Sequence, residues 1–535
     1  LPPPAKNAGG RQGAEKKGAF SMKKAMKKLM AALLAVAMVC AMAIPAFAAG
    51  GTNTLTINGT TEGHTYEAYQ VFTGTLNEST LSDVAWGNGV DGAGILADAD
   101  LPSSLKPAST AAELAANLTK ETTTTDDIDA FAKVVGKYIK TAYKYESTAS
   151  GKTYTITGLP DGYYFVKDAT VSMPEGATYS RYMLSIVRSL SINAKDTTVT
   201  LDKQIKHNET GNWGIVGDNQ IGDTVEFRTI TTVPNVKGYD TYTYEIHDTM
   251  SSELTSKVNS IDDITIKVND STELPKSYYT VSANENSFTV YVKILEAVAN
   301  HEISANDKLY TYYSGVLNES AKMSTEGPQK NEAYLKYSNN PNDTSFGETV
   351  HRTVYDWTFQ IDVTKVDGTT PEKKLEGAVF VLSKSEGLDL KPNDNGTPTE
   401  HTNDLIKLVK NSNGVYKVAD ASTSTTYTMT TPTDGQISIK GLDDDTTYYL
   451  YETKAPGGYN SLTAPVTFKI ATRTNDNYSA TGETINEQPN ITVNGTPTTS
   501  GTAFDVENNA GTTLPGTGGI GTTIFYVVGG GLMVA

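Results

Sequence analysis

The sequence predicts an all-β protein, and three observations carry that expectation. From Thr54 to about Val506, short alternations of Thr, Val, Tyr and Ile are broken by Gly, Asn, Asp and Pro. This is the pattern of half-buried strands joined by turns in sandwich folds. The 535 residues suffice for roughly three domains of ordinary size. Composition shifts near Lys195–Thr198 and through Ser338-Asn339-Asn340-Pro341-Asn342-Asp343 mark two connections. Helical spacing is local: Thr110–Lys120 and Asp126–Tyr143 are expected as helices decorating the first domain. In the second, Phe131, Val134, Val135, Tyr138 and Ile139 form one stripe.

Charge and cysteine content narrow the function classes. Lys and Arg number 44 against 61 Asp and Glu, a net charge of -17 that opposes binding to nucleic acid or anionic membranes. One cysteine excludes a disulfide scaffold and a cysteine-based zinc cluster. Residues 1–21 are Pro/Gly/Ala/Lys-rich without apolar period and are expected to be spurious upstream sequence. Residues 22–48 read as a secretory signal: Lys23, Lys24, Lys27 and Lys28, then an apolar stretch from Leu29 to Ile44, then Ala46-Phe47-Ala48 at the cleavage position. Removing residues 1–48 takes away eight basic residues, one acid and the only cysteine, Cys40. That leaves 36 basic against 60 acidic residues, a net of -24.

At the other end, Leu514-Pro515-Gly516-Thr517-Gly518 precedes an apolar, Gly-rich stretch from Ile520 to Ala535. The pair resembles the LPxTG sorting signal of Gram-positive surface proteins, in which sortase cleaves between Thr and Gly. The basic tail that follows in that family is missing, so 513–535 reads as a sorting signal with a truncated membrane segment. Three internal segments add to the resemblance. Asp202-Lys203, Gly222-Asp223-Thr224-Val225 and Tyr244-Glu245-Ile246-His247-Asp248-Thr249 resemble the isopeptide-forming middle domain of fimbrial subunits. Ile361-Asp362-Val363-Thr364-Lys365-Val366-Asp367, with Leu375-Glu376-Gly377-Ala378-Val379-Phe380, resembles the start of a collagen-adhesin B-type (SpaA-like) domain. The run from Tyr448 through Glu452-Thr453-Lys454-Ala455-Pro456 to Tyr459 resembles the E-box of that domain. Together they are the layout of sortase-assembled backbone pilins.

The resemblance implies three Ig-like or collagen-adhesin-type sandwiches: an N-terminal pilin domain at 49–195, an isopeptide-forming domain at 196–355 and a B-type domain at 356–512. It also implies a secreted, wall-anchored pilus shaft whose partners are class C and housekeeping sortases, further pilin subunits, peptidoglycan and a host surface ligand. A wall-anchored monomeric adhesin or minor pilin is the alternative. In neither case is the chain an enzyme in its own right, and no cofactor, metal or nucleic acid is expected.

Strand parity gives an argument that needs no family. Residues of equal parity share a strand face. Val199, Leu201, Lys203 and Ile205 share one, as do Tyr242, Tyr244, Ile246 and Asp248, and Asn331, Ala333, Leu335 and Tyr337. The last domain repeats the device with Phe359, Ile361, Val363 and Lys365, with Tyr448, Leu450 and Glu452, and with Phe504, Val506 and Asn508. Each set aims a Lys, an acid or an Asn inward. Burial drives a Lys–acid pair toward its neutral form. A neutral amine can attack a carboxamide while a protonated acid supplies the proton for departing ammonia. The expectation is two isopeptide bonds, Lys203–Asn331 assisted by Asp248 and Lys365–Asn508 assisted by Glu452.

Polymerisation needs another, accessible lysine. Ile192-Asn193-Ala194-Lys195-Asp196 resembles the pilin motif, although Asn-Ala stands where Tyr-Pro is usual and Asp where Asn is usual. Leu184, Ile186, Leu190, Ile192 and Ala194 share a face, and Lys195 lies on the opposite one with Ser191 and Asn193. Lys195 is the candidate nucleophile toward Thr517, with Lys203 and Lys206 behind it. In the first domain, Gly162–Asp168 sits where an E-box would be but lacks its Glu-Thr-x-Ala-Pro run, so no bond is expected there. Asp443-Asp444-Asp445 reads as a solvated turn without calcium-loop spacing. Phosphate-loop, zinc-protease and serine-elbow patterns are incomplete.

Overall fold

Alternating burial along the strands decides how this chain packs. The computed structural model describes residues 53–512 apart from 78–79, 188–189, 421–423, 472–477 and 499–500. The signal segment with Cys40 and the motif Leu514–Gly518 lie outside the described residues. Within them, strands pair into six sheets, and helices are few and short.

The first two sheets lie before residue 194. Asn53–Asn58, Thr148–Ser150, Thr153–Leu159 and Leu190–Asn193 form one; Tyr66–Asn77, Thr80–Trp86, Tyr145–Glu146, Gly162–Asp168 and Met183–Val187 form the other. Leu55, Ile57, Tyr154 and Ile156 of the first pack on Tyr66, Ala68, Tyr164 and Val166 of the second. The second sheet is buried on its other face too: Tyr69, Val71 and Phe165 are covered by Leu114, Phe131, Val134 and Val135 from helices. That double burial explains why every residue from Tyr66 to Phe72 is buried, Glu67 and Gln70 included, rather than every second one.

Those helices are Ala111–Leu118 and Thr125–Lys137, each started by a threonine cap, and Thr124 forms a full capping box with Asp127. The second stops at Lys137, short of the expected Tyr143: Tyr138 caps it, and Thr141–Tyr143 is a separate 3-10 turn. Two further helices, Gly92–Ala97 and Ile294–Ala299, are too short for periodicity to reveal.

The next two sheets have seven strands each and the last two have five and six. Trp357 ends the last strand of the former pair, and Phe359 begins the first strand of the latter. Apolar residues from Val199 to Val506 form one continuous cluster across all four sheets. Toward the first pair, Tyr179 N–H donates to Asn339 O at 2.7 Å, and the Tyr337 hydroxyl donates to Ala177 O at 3.2 Å.

Candidate functional site

Lys203 and Lys365 are the two buried lysines among the described residues, at 1% and 0% exposure. Parity puts them there. Leu201 and Ile205 flank Lys203 on the inward face of Leu201–Lys206, and Ile361 and Val363 precede Lys365 on that of Phe359–Asp367.

Lys203 points from one sheet of the middle pair toward the other. Asp248 and Asn331 stand on neighbouring strands of that facing sheet, Tyr244–Met250 and Gln329–Ser338, where Asp248 pairs with Ala333 and Met250 with Asn331. Lys203 Nζ donates to Asp248 Oδ2 at 2.5 Å, and both side chains are fully enclosed. Tyr313 completes the group: its hydroxyl accepts from Lys203 Nζ and donates to Asp248 Oδ2. Aromatic rings line the amine, with Nζ 5.6 Å from the Phe227 centroid and 5.0 Å from that of Tyr313. Burial lowers the Lys203 amine against the pull of Asp248, and burial raises the Asp248 carboxyl against the pull of Lys203. Both displacements favour the neutral pair. Asn331 lies against Asp248 and Tyr313, yet neither its Nδ2 nor its Oδ1 has a well-formed hydrogen bond. A buried carboxamide without partners costs about 1–3 kcal/mol, so this amide is held in an unfavourable setting.

The second group is built differently. Lys365 and Asn508 occupy adjacent parallel strands of one sheet, Phe359–Asp367 and Ala503–Asn508, with Lys365 beside Val506 and Asp367 beside Asn508. Lys365 Nζ donates to Asn508 Oδ1, and to Val506 O at 3.0 Å. Asn508 Nδ2 donates to both oxygens of Glu452 at 3.0 Å and to Asn460 O at 2.9 Å. Glu452 comes from Thr447–Lys454 in the facing sheet, and its Oε1 is 3.7 Å from Lys365 Nζ. A register shift beside it, between Val379 and Phe380 on the paired strand, marks a local irregularity in the ladder. Leu462 N–H donates to the Glu452 carboxylate at 2.9 Å and fixes its orientation. Burial pushes the Lys365 amine down to about 8, with Glu452 opposing. The carboxyl thus sits on the amide nitrogen that would depart, while the amine sits on the carbonyl side.

Tyr313 escaped the sequence reading. Its signal was parity: Leu309, Thr311 and Tyr313 share the buried face of Lys308–Leu317. Among the lysines considered for linkage, Lys195 is 37% exposed at its side chain, with Nζ 3.7 Å from Asp129 Oδ1. Burial of its surroundings nevertheless lowers its amine, opposed by Asp129. Lys203 is enclosed and out of reach of any enzyme, a correction to its place as a runner-up. Lys206 is one-third exposed and pairs with Glu226 at 2.5 Å. In the first pair of sheets, Asp168, in the E-box-like run, bonds His64 Nδ1 at 2.7 Å rather than a lysine. The aspartate run also departs from expectation. Asp443 and Asp444 are 2% and 0% exposed, because the turn that holds them docks against the middle sheets, where Asn208 Nδ2 donates to Asp443 Oδ2 at 2.8 Å.

Comparison with known proteins agrees with this architecture. Residues 359–484 match the family described as the SpaA prealbumin-like fold domain. Searching curated protein sequences gives no match. Among solved structures, the T6 backbone pilin of serotype M6 Streptococcus pyogenes is described as a modular three-domain structure decorated with variable loops and extensions. It is 16% identical over 87% of this chain and 100% of its own, with a TM-score of 0.51. The major pilin SpaD of Corynebacterium diphtheriae is 17% identical over 86% of this chain and 98% of its own, with a TM-score of 0.46. The major pilin subunit BcpA of Bacillus cereus is 16% identical over 86% and 99%, with a TM-score of 0.43. Residues 359–484 therefore read as a SpaA-type prealbumin-like domain, in a chain that shares the fold of a Gram-positive backbone pilin.

Proposed function

We propose that this chain is the shaft subunit of a covalent surface pilus, hardened internally by Lys203–Asn331 and Lys365–Asn508 isopeptide bonds. The observation that carries the reading is the pair of enclosed Lys–acid–Asn groups, each with its amine displaced toward the neutral form. In each bond the neutral lysine Nζ attacks the carboxamide carbon of Asn. The Nζ–C bond forms, the C–Nδ2 bond breaks, and ammonia leaves with a proton relayed by Asp248 or Glu452. No outside reactant is consumed, and each group turns over once.

The two ties do different mechanical jobs. Lys203–Asn331 joins facing sheets, whereas Lys365–Asn508 joins the first and last strands of one sheet. Tyr313 serves the first group by donating to the Asp248 oxygen nearest the amine. Tyr313→Phe is expected to leave the fold intact and to slow bond formation at least tenfold, seen as a lingering unreacted species in timed intact-mass spectra after refolding. Equal rates would remove Tyr313 from the chemistry.

Between subunits, sortase would exchange the Thr517–Gly518 peptide bond for a thioester, releasing the Gly518 amine. Lys195 of the next subunit would resolve that thioester as an amide. Partial exposure and a lowered amine suit Lys195 to this role. The test is Lys195→Ala in cells carrying the sortase: the high-mass ladder on a denaturing gel is expected to vanish. A persistent ladder would reject Lys195. A single wall-linked band from the unaltered protein would favour the monomeric adhesin.

A further inference from the structure

Three carboxylates lie buried where the middle sheets meet the last pair, with no lysine or arginine bonded to the first two. Asp218, at the end of Val216–Asp218, is 1% exposed, and neither of its carboxylate oxygens has a hydrogen-bond partner. The nearest basic group paired with it is His207, with Nε2 at 3.4 Å from Oδ2. Asp443 and Asp444 enter from the turn between Gln436–Leu442 and Thr447–Lys454. Asp443 Oδ2 accepts from Asn208 at 2.8 Å and from Thr446 at 3.4 Å, while its Oδ1 has no partner. Glu209 closes the group from the surface side. One oxygen from each of Glu209, Asp218, Asp443 and Asp444 lies within 4.8 Å of all the others.

Burying carboxylates together is unfavourable unless a cation offsets their charge, and Asp218, neither of whose oxygens is hydrogen-bonded, is aimed into the cluster. We infer that this junction is a calcium site, with Glu209, Asp218, Asp443 and Asp444 as ligands. Calcium–oxygen distances of about 2.3–2.6 Å allow ligand oxygens up to about 5 Å apart, whereas the tighter octahedron of magnesium holds them within about 4 Å. An all-oxygen set also favours a hard cation over zinc, which prefers nitrogen and sulfur. His207, 3.0 Å from Glu209, then acts as a neighbour that positions a ligand. Because the ligands come from both sides of the junction, a bound ion would fix the middle sheets against the last pair.

The test uses the full secreted chain, calcium chloride as the probe, and EDTA as the reference. Native mass spectrometry is expected to show one calcium per chain, and calcium is expected to raise the melting temperature by about 5 °C over EDTA. Asp218→Asn, close in shape, should abolish both effects, whereas Asp445→Asn, outside the four ligands, should retain them. Glu209→Gln, on the outer side of the cluster, keeps the side chain's shape and should weaken calcium binding at least tenfold. Equal melting in calcium and EDTA with no bound ion would overturn the inference. So would zinc binding without calcium binding, or calcium affinity unchanged in both Asp218→Asn and Glu209→Gln.

Discussion

Lys365→Ala is expected to lower the melting temperature of the last pair of sheets by on the order of 10 °C, and to restore the mass of one ammonia. The proposed Lys365–Asn508 tie, which this substitution removes, would close a loop whose ends are 143 positions apart. A covalent closure of that length stabilises by about 4–5 kcal/mol in the chain-entropy account. The substitution also empties a fully enclosed space beside Glu452, which keeps its bonds from Asn508 and Leu462. Glu452→Gln separates the two contributions. It retains volume and hydrogen-bonding capacity but cannot relay a proton, so it should likewise retain one ammonia, with a comparable fall in melting temperature. Calorimetry and intact mass on the same sample check both, and loss of the ammonia in Glu452→Gln, as in the unaltered protein, would exclude Glu452 from the chemistry.

Asp248→Ala should do more damage still. Without its partner, the Lys203 amine is left enclosed against Phe227 and Tyr313, and removing one member of such a buried pair typically costs about 3–5 kcal/mol. The cross-sheet tie is lost as well. The middle sheets are expected to unfold on the order of 20 °C earlier than in the unaltered protein, with one ammonia retained. Asp248→Asn should retain the ammonia with a smaller fall, because the enclosed amide fills the same space. Limited proteolysis followed by mass spectrometry would show whether the early loss is confined to residues near 199–357. A variant that keeps normal stability and still loses its ammonia would show that Asp248 is dispensable.

How much of this was legible in the sequence depended on the range of the interaction that fixed each residue. Period-two alternation is local, so Lys203, Asp248, Asn331, Lys365 and Asn508 could be placed on buried faces from spacing alone. Glu452 likewise turned inward, although a register shift lies beside it. Tyr313 carried the same parity signal but no chemical reason to be singled out until its hydroxyl was seen between Lys203 and Asp248. The second helix of the first sheet pair was read too long because Tyr138 and Ile139 continue the apolar stripe. Tyr138 caps the helix instead, and Ile139 turns to bridge Val90. Asp443 and Asp444 were misread for a different reason. Three consecutive aspartates look solvated in any local window, and only the docking of their turn against Asn208 and Asp218 encloses them. Such burial depends on residues more than 200 positions away, beyond what periodicity or turn chemistry can report.

The central claim is that the folded chain completes its own two crosslinks, and its mass tests this most directly. The secreted protein, purified without sortase and denatured before intact-mass spectrometry, should be lighter than its sequence by two ammonia molecules. Fragmentation should recover Lys203 joined to Asn331 and Lys365 joined to Asn508. A mass equal to that of the unmodified sequence would contradict the account, because the enclosed lysines would then be ion-paired and unreacted.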